Sequence, residues 1–255
     1  MSNWSESHVV ARSRESQHHG FLPALQSLLT IIVIAVFIIT LAIQPFRIPS
    51  ESMEPTLLVG DFLLVDKQTV GEQAGLNPFP SVNVRRGDII VFHYPIDPSI
   101  HLIKRVIGLP GDHLKLREGH VYINGQALIE PYAIYRPSSP DNFRDNFPRL
   151  QMADPEIDSR WWVRMHTLID NGELIIPAGN YFVLGDNRND SEDSRYWGFV
   201  PRENIVGRPI LIYFSLRSIN ANGPDGPRTL EHPPSSMLES VLGFARWDRT
   251  LSIVR

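Results

Sequence analysis

Three short segments of the 255-residue sequence carry side chains that could perform nucleophilic chemistry. The first, residues 49–57, places Ser50 and Ser52 between prolines that restrict the backbone. Alternate side chains of an extended segment project to the same side, so one serine could attack a substrate while the other donates a hydrogen bond. Taken alone, the segment could equally be a turn that uses Ser and Pro for conformational reasons.

The second segment, residues 100–112, contains a lysine among aliphatic side chains. If the segment is a strand, Lys104 shares a face with Leu102 and Val106, while Arg105 lies on the opposite face. Desolvation there disfavours the ammonium ion and lowers the lysine pKa from about 10.4, so the neutral amine can act as a general base. The alternative is a lysine that protects an edge strand from aggregation.

The third segment, residues 185–200, is dense in Asp, Asn, Ser and Arg side chains that could form a hydrogen-bonded loop. A calcium loop is the natural alternative, but that pattern needs Asp or Asn at its third position, where Arg188 stands if the loop starts at Asp186. The chain has no cysteine, and its nine histidines form no pair four residues apart. We therefore expect neither a metal site nor a cofactor.

The elements that must position these segments are short. Apolar runs bounded by Gly, Pro, Asn or Asp are typical of strands closed by turns, and Asn124-Gly125 predicts a tight hairpin. The runs cover residues 57–65, 89–94, 101–107, 120–123, 173–176, 181–184 and 205–214. The pattern predicts a mainly β domain with antiparallel strands in a barrel-like or sandwich-like arrangement.

Two stretches interrupt this pattern. Residues 127–171 are rich in Pro, Asp, Asn and aromatic side chains, which predicts an inserted, loop-rich subdomain. Residues 218–236 contain repeated Pro and Gly and predict a flexible linker to a C-terminal segment, in which residues 237–247 could form one amphipathic helix.

An apolar segment precedes the predicted strands. Residues 21–43 include 18 apolar residues among 23, and residues 16–46 contain no Asp, Glu, Lys or Arg. A helix of this length reaches about 34 Å, enough for a hydrocarbon core of about 30 Å. The run is longer than the apolar region of a cleavable signal peptide. It therefore predicts one N-terminal transmembrane helix.

The distribution of basic residues predicts the orientation of that helix. Arg12 and Arg14 precede it, whereas only Arg47 stands in the twenty residues after it, and basic residues favour the cytoplasmic side. The predicted organisation is a cytoplasmic tail (1–20), a transmembrane helix (21–43), a periplasmic catalytic domain (44–217), and a linker with a C-terminal segment (218–255).

Overall composition excludes several classes of protein. The net charge of −4 gives no basic excess for nucleic-acid phosphates, so we expect no nucleic-acid partner. The absence of cysteine excludes a disulfide scaffold and a thiol nucleophile. The 42% hydrophobic content is that of a globular protein rather than of one with many membrane spans.

Four motifs in order resemble the bacterial type I signal peptidases (leader peptidases), membrane-anchored serine endopeptidases that remove signal peptides from exported proteins. The resemblance covers residues 21–215. The motifs are Pro-Ser-Glu-Ser-Met-Glu-Pro-Thr-Leu (49–57), Arg-Gly-Asp-Ile-Ile-Val-Phe (86–92), Lys-Arg-Val-Ile-Gly-Leu-Pro-Gly-Asp (104–112) and Gly-Asp-Asn-Arg-Asn-Asp-Ser-Glu-Asp-Ser-Arg-Tyr-Trp-Gly-Phe-Val (185–200).

The resemblance implies a Ser–Lys dyad. Ser52 matches the nucleophile and Lys104 matches the general base. Ser50 matches the hydroxyl that completes the oxyanion hole together with the backbone N–H of Ser52. Ser191 matches the hydroxyl that hydrogen-bonds and orients the lysine amine.

The resemblance also assigns supporting residues. Asp193 and Arg195 match a structural ion pair behind the site. Ile48 and Ile103 match residues that line shallow apolar pockets for small side chains at substrate positions −1 and −3. The family loop commonly reads Arg-Asp-Asn-Ser, whereas residues 188–191 read Arg-Asn-Asp-Ser. The serine keeps its place, but the role of the first acidic residue is put in question.

The implied function is that of signal peptidase I, which cleaves preproteins after small residues at −1 and −3 through an acyl-enzyme. Its implied partners are preprotein signal peptides and the lipid bilayer, without metal or cofactor. Its implied location is the bacterial inner membrane, as a single-pass protein with a cytoplasmic N-terminus. The alternatives are a specialised peptidase that matures one pilin or conjugation substrate, and a non-catalytic anchored binding module.

Overall fold

A computed structural model of the protein describes residues 21–67, 83–139, 141–151, 155–217 and 244–254. The chain divides into two compact units, residues 1–40 and 41–255. Helix α1, Phe21–Ala42, occupies the described part of the first unit. Within the residues that the structure describes, no helix is both long and apolar enough to cross a membrane. The predicted helix limit at residue 43 is one residue too long, because Ile43 begins a strand.

Thirteen short strands and three short α-helices follow in the described part of the second unit. The strands are β1 (Ile43–Arg47), β2 (Asp61–Asp66), β3 (Ile89–His93), β4 (His101–Gly108), β5 (His113–Arg117), β6 (His120–Ile123), β7 (Gln126–Ala127), β8 (Ile169–Asp170), β9 (Glu173–Ile175), β10 (Asn180–Leu184), β11 (Val200–Pro201), β12 (Ile205–Ser215) and β13 (Ser252–Ile253). The helices are α2 (Asn142–Asp145), α3 (Ser159–His166) and α4 (Ser194–Trp197).

The strands form two sheets. An eight-stranded sheet has the order β1-β2-β12-β3-β4-β10-β11, with β13 also paired to β12. A five-stranded sheet has the order β7-β6-β5-β9-β8. Every pairing between these strands is antiparallel. The prediction of a mainly β, antiparallel domain is confirmed.

Two-residue turns build the smaller sheet. Glu118-Gly119, Asn124-Gly125 and Asn171-Gly172 each have positive φ at both residues, and each joins two paired strands. Such turns match the twist of the flanking strands, and glycine adopts positive φ without steric penalty. The hairpin predicted at residues 124–125 is confirmed.

One predicted strand was placed too early in the sequence. The apolar run 57–65 predicts a strand, but β2 begins only at Asp61. The Leu57 N–H bonds back to the Met53 carbonyl, and the Leu58 N–H bonds to the Asp61 carboxylate at 2.9 Å. These bonds close turns, so residues 57–60 bring the chain from the serine segment into the sheet.

Residues 127–171 contribute to the main hydrophobic core, and they contain helices α2 and α3 as well as loops. Phe143, Phe147, Trp161 and Met165 are all buried in one cluster with side chains from both sheets. The side chain of Asp158 accepts the Trp161 N–H at 2.9 Å and begins α3. The limits of an inserted subdomain stay a prediction.

The segment 244–254 packs on the larger sheet. Ala245 bridges to Leu216, and β13 pairs with β12. Arg249 Nη2 donates to Asp61 Oδ2 at 2.6 Å and to the Thr56 carbonyl at 3.0 Å. Residues 244–247 are not helical, so that end of the predicted helix 237–247 is wrong. The remainder of that helix, the linker 218–236 and the tail 1–20 lie outside the described residues.

Candidate active site

Ser52 lies in a tight turn rather than in an extended segment. Residues Glu51–Met53 form one 3₁₀ turn, with the Glu54 N–H bonded to the Glu51 carbonyl at 3.0 Å. The extended backbone predicted for this segment is therefore wrong at residues 51–53, whereas Ser50 and Glu54 are extended. The two serine hydroxyls still meet, since Ser50 Oγ lies 3.4 Å from Ser52 Oγ. The 3₁₀ turn therefore brings the two hydroxyls together, as the alternation of side chains along an extended segment was expected to do.

Lys104 reaches the same hydroxyl from β4. Its Nζ lies 2.6 Å from Ser52 Oγ, and the lysine is 4% exposed. Burial lowers the pKa of Lys104 to about 8, although the nearby charge of Asp193 opposes the shift. This direction agrees with the predicted lowering of the pKa. An amine with such a pKa is half neutral near pH 8 and largely neutral about one pH unit higher, and the neutral form can accept a proton from the serine.

A buried ion pair lies behind the lysine. Arg195 Nε lies 2.8 Å from Asp193 Oδ1, and both side chains are buried. Burial would raise the pKa of Asp193, but the charge and hydrogen bonds of Arg195 hold that pKa below its usual value. Ser191 Oγ donates to Asp193 Oδ2 at 2.8 Å. The hydrogen bond found for Ser191 thus goes to this carboxylate, and its predicted role in orienting Lys104 stays a prediction.

Gly185 allows the serine turn and the acidic loop to approach each other. A Cβ at this position would lie 2.3 Å from Ser191 Oγ and 2.4 Å from the Ser52 carbonyl oxygen. Atoms cannot pack at those distances, so only glycine fits between the two groups. The Asn187 N–H also donates to the Ser52 carbonyl at 3.1 Å, which fixes the turn to the loop.

The opposite face of β4 carries a second polar cluster. Arg105 donates to Asp186 Oδ1 at 2.8 Å and to Oδ2 at 2.7 Å. Thr56 Oγ1 donates to the same carboxylate at 2.5 Å, and the Arg105 guanidinium lies 4.0 Å from the centre of the Tyr132 ring. The sequence motifs do not predict Asp186 as a site residue. The feature of the sequence that could have indicated such a partner is Arg105, because a buried guanidinium requires a carboxylate partner.

The two predicted pocket residues lie on neighbouring elements. Ile48 is buried and Ile103 is partly buried, and both belong to the hydrophobic cluster that also contains Met53. The rings of Phe46 on β1 and His101 on β4 are 5.4 Å apart, so these strands approach each other beside the serine turn. Both therefore lie with the cluster that contains the residue after Ser52, and their role in lining substrate pockets stays a prediction.

Two groups of predicted site residues are in contact in the structure, namely Ser50, Ser52 and Lys104 in one group and Ser191, Asp193 and Arg195 in the other. Within the described residues, no group of three or more Asp, Glu or His side chains could hold a metal ion. A buried amine bonded to a serine hydroxyl is a nucleophile–base pair.

A comparison with known protein families identifies the family to which the chain belongs. The model of the family described as signal peptidase, peptidase S26, matches residues 21–214. The chain belongs to this family. The match includes Ser52, Lys104 and the loop 185–200. The predicted family and the predicted hydrolase activity are confirmed.

Curated relatives carry the same name in several bacteria. Signal peptidase I of Pseudomonas fluorescens is 36% identical over 204 residues, covering 74% of this chain and 71% of the relative. Signal peptidase I of Leptolyngbya laminosa is 37% identical over 225 residues, covering 84% and 91%. A solved signal peptidase I from Enterococcus faecalis V583 is 35% identical, with a TM-score of 0.36, covering 49% of this chain and 96% of that one. The predicted signal peptidase I function is confirmed by the family match and by the two curated relatives.

Proposed function

We propose that this chain cleaves N-terminal signal peptides from exported preproteins with Ser52 as nucleophile and Lys104 as general base. The observation that carries the proposal is the 2.6 Å contact between Lys104 Nζ and Ser52 Oγ in a buried site. Burial supplies the neutral amine that the reaction needs, and the contact supplies the path for the proton.

The chemistry follows from this geometry. Lys104 takes the hydroxyl proton as Ser52 Oγ bonds to the scissile carbonyl carbon, and the carbonyl oxygen becomes an oxyanion. The Ser52 N–H and the Ser50 hydroxyl donate to that oxyanion. The Lys104 ammonium then protonates the leaving amine, which departs as the mature protein. A water molecule, deprotonated by the same amine, hydrolyses the acyl-enzyme.

Substrate binding follows from the open edges beside the dyad. In the described part of β4, pairing with β10 begins only at Arg105, so residues 101–104 pair on one side alone. An extended substrate can add to such an edge through main-chain hydrogen bonds. We place the small substrate side chains at −1 and −3 against Ile48 and Ile103. In the same proposal Ser191 steadies Lys104, and Asp193 with Arg195 holds Ser191.

The location of the cleavage follows from residues 21–43. We propose that this segment anchors the protein in the bacterial inner membrane, with the N-terminus in the cytoplasm and residues 44–217 in the periplasm. Its described side chains, residues 21–36, are mostly apolar and all exposed, and a lipid bilayer would cover such a surface. Ser52 follows this segment by nine residues in the sequence.

Cleavage of a purified preprotein in detergent tests the proposal. Ser52→Ala and Lys104→Ala should each abolish cleavage while leaving thermal unfolding close to that of the wild type. Ser99→Ala and Lys115→Ala are matched controls, because both residues lie outside the site, and they should cleave at the wild-type rate. Clear activity in Ser52→Ala or Lys104→Ala would overturn the proposed dyad.

A further inference from the structure

The turn that carries Ser52 has acidic residues on both sides, and one arginine binds them both. Arg136 Nη1 lies 2.6 Å from Glu51 Oε2, and Arg136 Nη2 contacts Glu54 Oε2. Ser52 lies between the two glutamates in sequence. The planar guanidinium therefore spans the nucleophile turn from end to end.

Arg136 is itself held by the acidic loop. Asn189 Nδ2 donates to the Arg136 carbonyl at 2.8 Å, and Asn189 belongs to the loop that carries Ser191. The same loop contacts the nucleophile turn directly, through the Asn187 N–H and the Ser52 carbonyl at 3.1 Å. The three segments form a closed ring of contacts, and the Arg136 guanidinium makes the contact between the stretch 127–171 and the turn.

The turn needs such support because its own bonding is weak. Ser50, at its N-terminal end, makes no side-chain capping bond, and a single turn of 3₁₀ helix has poor hydrogen-bond geometry. Glu51 and Glu54 carry like charges that repel each other without a cation between them. Displacing the turn by about an ångström would take Ser52 Oγ beyond hydrogen-bond distance of Lys104 Nζ, which lies 2.6 Å away in the structure.

We propose that Arg136 is a positioning residue that holds the Ser52 turn in place for attack. This inference rests on the proposed function, since it assigns the effect of Arg136 to Ser52 as nucleophile. Arg136 and Glu51 are 32% and 34% exposed, so their ion pair adds little to global stability, whereas the Glu54 side chain is 9% exposed and its pair with Arg136 adds more. The test must therefore separate a contribution of Arg136 to the rate of the chemical step from its contribution to the fold.

Steady-state cleavage of a purified preprotein by the full chain in detergent tests this role. Arg136→Ala should lower kcat about 10- to 100-fold with KM changed less than about twofold, because small displacements of reacting groups slow the chemical step steeply. The double variant Glu51→Ala/Glu54→Ala should show the same loss. The triple variant should be no slower than either, because all three residues act through one contact.

Two further variants guard the test against misfolding and general charge effects. Arg136→Lys keeps the charge and the long side chain but cannot bridge two carboxylates, so it should fold like the wild type and still lose kcat. Arg208 pairs with Asp88 at 3.0 Å with similar exposure, outside the site, so Arg208→Ala should cleave normally.

The following outcomes would contradict the positioning role of Arg136 or the proposed function. Wild-type kcat in Arg136→Ala would overturn the positioning role. A triple variant whose loss equals the product of the separate losses would also overturn it, since the residues would then act independently. Recovery of kcat in the triple variant would assign Arg136 to charge neutralisation instead of positioning. Activity in Ser52→Ala would reject the proposed function, whereas an inactive Ser52→Ala beside a fully active Arg136→Ala rejects Arg136 alone.

Discussion

The two faces of β4 show two outcomes of burying a cation. Lys104 and Arg105 are neighbours in sequence, are 4% and 3% exposed, and point to opposite faces of the strand. Arg105 donates to both carboxylate oxygens of Asp186. Lys104 donates to the Ser52 hydroxyl, and within the described part of the chain it forms no ion pair.

The difference lies in the partner and not in the depth of burial. A carboxylate in contact with a guanidinium compensates for lost hydration, so the Arg105 face ties β4 to the loop at Asp186. A hydroxyl compensates less, so the Lys104 pKa falls to about 8. One face therefore stabilises the fold, and the other supplies a base.

The largest effect is expected when Lys104 on the catalytic face of β4 is replaced by a side chain that stays positively charged. Lys104→Arg keeps a buried cation that cannot become neutral, so kcat for preprotein cleavage should fall about 10³-fold or more. Lys115→Arg is the matched control, because Lys115 is partly exposed and paired with Glu173 outside the site, and it should cleave normally. A Lys104→Arg variant that retains a tenth of wild-type activity would contradict a neutral-base mechanism.

The next largest effect is expected on the other face. Asp186→Asn leaves Arg105 buried without a counter-charge, so the free energy of unfolding should fall by about 3–5 kcal/mol. Urea denaturation at fixed detergent concentration measures this change. Asp88→Asn removes the carboxylate of a partly exposed pair with Arg208 and should change the same quantity by less than about 1 kcal/mol. Equal losses in the two variants would show that burial does not set the difference.

The smallest effect is graded and appears in the pH profile. Because the Lys104 pKa is about 8, the amine is protonated and inactive below that pH and neutral above it. Consequently kcat/KM should fall about tenfold for each pH unit below the pKa and level off above it. His101, on the same strand, has a pKa lowered by burial and by His93. The variant His101→Gln therefore tests whether a histidine causes the fall of kcat/KM at low pH. A profile that is flat between pH 6 and 8 would exclude Lys104 as the base.

The family resemblance predicts the dyad, and local sequence signals predict most of the strands. The alternation of apolar residues around Lys104 places the amine on one face and Arg105 on the other, as the structure has them. Short apolar runs between turn residues locate β3, β4, β6, β9, β10 and β12 within one or two residues. Periodicity and turn chemistry are properties of neighbouring residues, so one sequence reveals them.

Pairings between distant charges are invisible to such signals. Arg136 binds Glu51 and Glu54 across 85 and 82 residues of sequence. Many acidic side chains could have matched this arginine, and only the folded chain selects between them. The same limit applies to Asp186, whose partner is 81 residues away.

Helix α3 was hidden for a different reason. The stretch 127–171 has the Pro and Asn content of a loop, which masks an eight-residue helix. Asp158 is an N-cap residue three positions before Trp161, and this local signal could have located the helix start. Strand β1 was missed because its first residue, Ile43, continues the apolar run of helix α1.

The bond between Arg249 and the Thr56 carbonyl has a consequence for the order of events during synthesis. The two residues are 193 positions apart, and Thr56 stands four residues after Ser52. Ser52 is therefore synthesised long before Arg249, whose side chain binds the Thr56 carbonyl next to the serine turn. This bond can form only after Arg249 has been translated, so the support that it gives to the catalytic centre is completed late in synthesis.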